Sequence, residues 1–135
     1  MRPLWLLSGL ALLACGGGPS GPKGYADGRV FVEHRLMTPS GQPITDPVRV
    51  EVKTYLPEVG EVPPFRLMPG ERRDVVGKVL KGGTKLTIVV TGEWYDGPTT
   101  EIEVTVDGNV TVVLTEHPHK VGATLVPIKY RITYE

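Results

Sequence analysis

The densest set of metal-capable groups in the sequence is Glu116-His117-Pro118-His119. A His-x-His at a strand end can point both imidazoles the same way, and His34 could supply a third nitrogen for copper or zinc. Pro118 restricts the turn between the two, no Met cluster accompanies them and no Cys is at hand, so a plain polar loop fits the same residues. His34 lies on the apolar parity of its own segment, as a half-buried histidine with satisfied nitrogens would. Glu93-Trp94-Tyr95-Asp96 sets two aromatic rings beside two carboxylates, a pattern able to bind sugar. Trp94 also shares parity with Leu86, Ile88 and Val90, which suits a lid on a core. Glu101 and Glu103 are paired carboxylates on a wet face. Acid–base work would need burial and a pocket that separates their acidities. Arg49, Lys53, Lys129 and Arg131 are better partners for them across neighbouring strands. Ser20 and Ser40 stand in Pro- and Gly-rich context without a nucleophile motif. The expectation is therefore no enzyme, no catalytic residue and no cofactor.

Such residues need elements to hold them, and the composition points to strands. Fifteen basic residues against fifteen acidic ones leave no net charge, which argues against a nucleic-acid-gripping surface. Hydrophobic residues make up 40% of the chain, enough for one core in 135 residues. The chain is rich in Val and Thr, poor in Ala, and carries 17 Gly and 13 Pro for turns, an all-β composition.

From Gly28 onward the apolar period is two. Val30, Val32, His34 and Leu36 alternate with Phe31, Glu33 and Arg35, and Val48, Val50, Val52 and Thr54 with Arg49, Glu51, Lys53 and Tyr55. The same holds for Ile102, Val104 and Val106, and for Val126, Ile128, Tyr130, Ile132 and Tyr134. Each pattern predicts a strand with one buried and one wet face. Residues 74–80, 84–94 and 110–115 add three strands, and Phe65–Met68 a short edge piece. Gly82-Gly83 predicts a two-residue hairpin loop that sets Val79 opposite Leu86 and Val75 opposite Val90. Asp107-Gly108-Asn109 predicts a three-residue loop that sets Val104 opposite Val112. Seven or eight such strands predict an antiparallel β-sandwich over 28–135. Pro57, Pro63, Pro64 and Pro69 break up 56–71 into the longest irregular stretch.

The amino end carries an address. Arg2 precedes Leu4–Leu13, an apolar stretch that suits a signal peptide, whereas a spanning helix needs about twenty residues. Leu12-Leu13-Ala14-Cys15 resembles the bacterial lipobox. The resemblance implies cleavage between Ala14 and Cys15 and a diacylglyceryl group on the sulfur, with further acylation by palmitate-type chains. Two or more chains anchor stably where one does not. Cys15 is the only Cys, so no intrachain disulfide can form, and lipidation would remove a free thiol from an oxidising compartment. Residues 15–27 read as the lipidated Cys and a flexible Gly/Pro linker of at most ~40 Å reach. Gly16 after Cys15 lacks the acidic residue that marks inner-membrane retention in some enteric bacteria, which favours the outer membrane or cell surface.

Two further stretches resemble the transthyretin-like, carboxypeptidase-regulatory type of β-sandwich. Gly28-Arg29-Val30 through Gly41-Gln42-Pro43-Ile44 to Val48-Arg49-Val50 is similar to that family's opening strand, Gly-x-Pro turn and second strand. Val79 to Ile88, with Trp94-Tyr95 beyond, is similar to its Gly turn, following strand and terminal aromatic. Glu71-Arg72-Arg73-Asp74 stands where that family usually carries an acidic-Gly-aromatic stretch. An immunoglobulin-like topology fits the same strand pattern. The resemblance implies a non-catalytic accessory or adhesion module, not an enzyme, and the expectation is a surface-tethered β-sandwich that contacts an envelope protein partner. A small-ligand module, with metal on His117 and His119 or sugar on Trp94 and Tyr95, is the alternative.

Overall fold

The computed structural model describes residues 24–92, 99–116 and 119–135. The strands are β1 (Val30–Met37), β2 (Val48–Val52), β3 (Phe65–Leu67), β4 (Arg72–Asp74) and β5 (Lys85–Gly92). They continue with β6 (Thr100–Thr105), β7 (Val110–Glu116), β8 (His119–Val121), β9 (Thr124–Val126) and β10 (Lys129–Tyr134). Eight of them form two four-stranded sheets, ordered β10-β7-β1-β4 and β3-β2-β5-β6, and β8 and β9 pair only with each other. The domain is thus an all-β sandwich, as the alternation predicts. Within the two sheets β1 and β7 run parallel and every other pair is antiparallel.

Period-two patterning explains the core. Val30, Val32 and Leu36 of β1, Val48 and Val50 of β2, Leu86, Ile88 and Val90 of β5, and Val110, Val112 and Leu114 of β7 are all buried in one cluster. Their alternate neighbours point outward. On the outer side of the first sheet Arg72 crosses the strands. It stacks 3.8 Å from the Phe31 ring centroid and donates to Thr111 Oγ1 at 3.1 Å and Glu135 Oε2 at 3.0 Å. Thr111 and Val113 on this side are buried as well, so β7 is covered on both faces.

Strand directions define two poles. One gathers residues 24–29, 53–64, 75–84 and 106–109 together with Glu135; the other gathers 38–47 and 68–71, with Gly92, Thr100, Glu116 and Lys129 at its strand ends. The amino-terminal residues dock on the first pole. Gly108 N donates to Ala26 O at 2.8 Å, Ala26 N to Asp107 Oδ1 at 3.1 Å, and Gly82 N to Asp27 Oδ1 at 2.7 Å. A Cβ on Gly28 would meet Gly108 backbone atoms at 2.1 Å, so only glycine lets these segments touch. Ala26 and Asp27, assigned to the linker by composition, are therefore bonded to the domain.

Three expectations are corrected. Lys81–Thr84 does form a turn, with Thr84 N donating to Lys81 O at 3.1 Å and Gly83 at φ 87°, but it does not join hairpin strands. Before it, β4 ends at Asp74, whose Oδ1 accepts from Val76 N and Gly77 N. Residues 75–80 then cross between sheets, Leu80 bridges Gly28, and Val79 is 50% exposed rather than opposite Leu86. Leu86 instead faces Val104, and Val90 faces Val50 and Thr100. Secondly, 102–114 is a crossover, not a hairpin: β6 pairs with β5, and β7 with β1 and β10. Val104 and Val112 share the core, but from opposite sheets. The physical reason is common to both. Facing sheets of a sandwich point their apolar residues at the same core, so equal parity fits an arch between sheets as well as a hairpin within one. Thirdly, the run from Val126 to Tyr134 is broken at Pro127, which lacks an N–H for a ladder. Ile128 turns into the core with its N–H 3.3 Å from Thr100 Oγ1, and the tyrosines of β10 are left open.

Candidate functional site

His34 is the one histidine whose ring is described, and its surroundings explain its type. It sits on the inward side of β1 and is 1% exposed. Nε2 lies 2.9 Å from the backbone oxygen of Asp46. A carbonyl can only accept, so Nε2 carries the proton and donates. Nδ1 is left as the acceptor for Leu36 N–H at 3.4 Å. The backbone of the same residue holds the turn on its other side, with His34 N donating to Glu71 O at 2.9 Å and Gly70 N to His34 O at 2.8 Å. His34 thus joins β1 to both the 38–47 loop and the 68–71 turn. Its single ring lone pair is directed at a backbone N–H, an arrangement of a structural histidine rather than a ligand. The cleft beside it, lined by Met37, Pro43, Ile44 and Pro69 among others, has a volume of about 210 Å³. That is below the ~300 Å³ at which small-molecule pockets usually begin.

His117 lies outside the described residues. His119 opens β8, with only its backbone described. Among the described residues no three His, Cys, Asp or Glu side chains are placed to share a metal ion. Trp94 and Tyr95 lie outside the described residues, as do Ala14 and Cys15. Among the described residues no helix is long and apolar enough to cross a membrane.

Glu101 and Glu103 stand on the outer face of β6. Lys53 Nζ approaches Glu101 Oε2 at 3.1 Å, with both side chains more than half exposed. This is a solvated surface pair of the kind that contributes ~0–1 kcal/mol, and it gives the two carboxylates no common pocket. Other ion pairs lie on the first sheet, each joining an exposed cation to a mostly covered carboxylate: Arg29 with Asp74 at 2.7 Å, Lys129 with Glu116 at 3.0 Å, and Arg35 with Glu33.

The surface feature that sequence reasoning missed is β10. Tyr130, Ile132 and Tyr134 sit opposite Leu114, Val112 and Val110, and so share the inward side of their sheet. Yet Tyr130 is 40% and Tyr134 56% exposed, while Ile132 is half-buried against the core. The strand is at the edge of its sheet, and among the described residues no strand pairs with its outer side. A signal for this was present in the residue types. Tyr in place of Val or Ile at alternate positions brings an apolar body and a wet hydroxyl, which suits a margin better than a dry centre. The result is an aromatic strip about six residues long beside a row of backbone groups that no described strand pairs with. Chemically it can bind by strand addition, with main-chain hydrogen bonds for affinity and the two rings for selectivity. Comparison with protein-family models, curated proteins and solved structures finds no match for the chain.

Proposed function

We propose that the protein is a membrane-anchored, non-catalytic lipoprotein of the cell envelope whose β-sandwich is a protein-interaction module. The observation that carries the interaction reading is β10, an edge strand with no described strand on its outer side and with Tyr130 and Tyr134 exposed on its inward side. The anchor reading rests on Leu12-Leu13-Ala14-Cys15. The two readings fit each other spatially. Residues 24–27 dock on one pole of the sandwich, and the nine residues from Cys15 to Lys23 reach at most ~32 Å. A lipidated Cys15 would keep that pole towards the bilayer and stand the sheet edges upright from it, where a neighbouring protein can reach them.

Intact mass of the protein extracted from membranes tests the anchor. The expected product has lost residues 1–14 and gained a diacylglyceryl group on Cys15. An unmodified thiol at Cys15 overturns the anchor and leaves a secreted domain.

A further inference from the structure

We infer that β10 pairs antiparallel with β10 of a second copy of this chain, joining two sandwiches through one continuous eight-stranded sheet. The inference deepens the interaction-module reading and rests on it; it does not depend on the lipid.

The backbone comes first. Glu135 N donates to Asn109 O at 3.0 Å, so the odd-numbered residues of β10 turn their backbone groups towards β7. Val110 N donates to Arg29 O at 2.9 Å, which assigns the even positions of β7 to β1 and the odd ones to β10. Successive backbone groups of a strand point to opposite edges, so the N–H and C=O of Tyr130, Ile132 and Tyr134 lie along the outer edge of β10.

Side chains then select a register. Centring the pair on Ile132 sets the two Ile132 side chains opposite each other and Tyr130 opposite the second copy's Tyr134. All of these are outer-edge residues, so each pair can exchange both backbone hydrogen bonds. On the other face Arg131 falls opposite Thr133, and Lys129 opposite Glu135, so no like charges meet. Centring on Arg131 instead puts guanidinium against guanidinium, which is destabilising. Centring on Thr133 leaves only residues 132–134 paired within the strand. The Ile132 register also merges the two open aromatic strips into one apolar band on the inward side of the joined sheet.

The other edges are built against this. β3 and β4 are three residues long. β6 is longer, but its outward face carries Glu101 and Glu103, and antiparallel pairing of two copies centred on Ile102 sets Glu101 against Glu103. Short edges and charges are the usual defences of edge strands, and β10 alone among the four has length, aromatic side chains and a self-complementary charge order.

The test uses the full chain, in membranes and in detergent. Ile132→Cys oxidised with diamide should yield a disulfide-linked dimer, and mass spectrometry should identify two copies of the peptide containing position 132. The Cα separation of a hydrogen-bonded antiparallel pair, about 5.5 Å, accepts a disulfide. The unsubstituted chain treated the same way accounts for any linkage through Cys15. By sedimentation in detergent, the unsubstituted chain at tens of micromolar should be dimeric, and Ile132→Lys should be monomeric with its strand circular dichroism unchanged. Should Ile132→Lys fail to fold, the Ile132→Cys linkage decides. A linked peptide joining position 132 to a different protein overturns self-pairing and leaves the interaction reading standing. A monomer without any linkage at position 132 overturns both, and a dimer that persists in Ile132→Lys overturns the β10 pairing.

Discussion

β1 and β10 lie in one sheet, both pair with β7, and both turn successive residues inward and outward with period two. On β1 the inward residues Val30, Val32, His34 and Leu36 are all buried. On β10 only Ile132 reaches the core, and the tyrosines on either side of it stay open to solvent. The difference is position. β1 lies between β7 and β4 in the interior of its sheet, whereas β10 forms the margin. Alternation states which side of a strand is inward; it does not state that anything stands opposite. Inward aromatic residues at a margin therefore become part of the surface, and under the proposed function they are where a partner would bind.

The largest expected effect lies at the centre of this contrast. Val32→Asp buries a charge that no neighbouring group balances, and should destabilise by about 4 kcal/mol or more, enough to unfold a domain of ordinary stability. Denaturant unfolding should give no native baseline; a cooperative transition near that of the unsubstituted protein would mean that β1 is not central. His34→Leu should cost about 2 kcal/mol, because it keeps the bulk but strips Asp46 C=O and Leu36 N–H of their partners. Amide exchange should quicken first in 38–47 and around 68–71, the segments His34 joins. Stability unchanged by this substitution would remove the structural role assigned to the ring. The smallest effect is expected at the margin. Tyr134→Thr should stay within about 0.5 kcal/mol of the unsubstituted protein, measured at a concentration low enough to keep the chain monomeric. A loss comparable to that of Val32→Asp would erase the distinction between the two strands.

Much of the fold was legible because residue type and parity are local properties. The strands at Val30, Val48, Lys85, Thr100 and Val110 all begin within a few residues of where the alternation starts. The faces of Val104 and Val112 were also legible. Their connection was not, since an arch through Asp107–Asn109 satisfies parity as fully as a hairpin does. The same ambiguity hid the fate of 75–80, where an Asp74 carboxylate ends the strand by accepting from the N–H groups of Val76 and Gly77. Docking of Ala26 and Asp27 was illegible for another reason. Their partners, Gly108, Asp107 and Gly82, are 55 or more residues away, and an Ala bonded through its backbone beside an Asp bonded through its carboxylate looks like any linker.

For the candidate sites the division is sharper. His34 was singled out by type and parity, but its role follows from Asp46 O and Leu36 N–H arriving at its two nitrogens, which only the folded 38–47 loop arranges. By itself the sequence determined the strand class of the domain, the inward side of β1, β2, β5, β6 and β7, and the resemblance of residues 12–15 to a lipidation signal. Those are properties of neighbouring residues and of a backbone whose side chains alternate. Tertiary structure alone decided which strands share a sheet, which strand lies at its margin, and hence that Tyr130 and Tyr134 are surface. Sheet order joins segments far apart in the chain, and burial depends on what stands across from a residue rather than beside it.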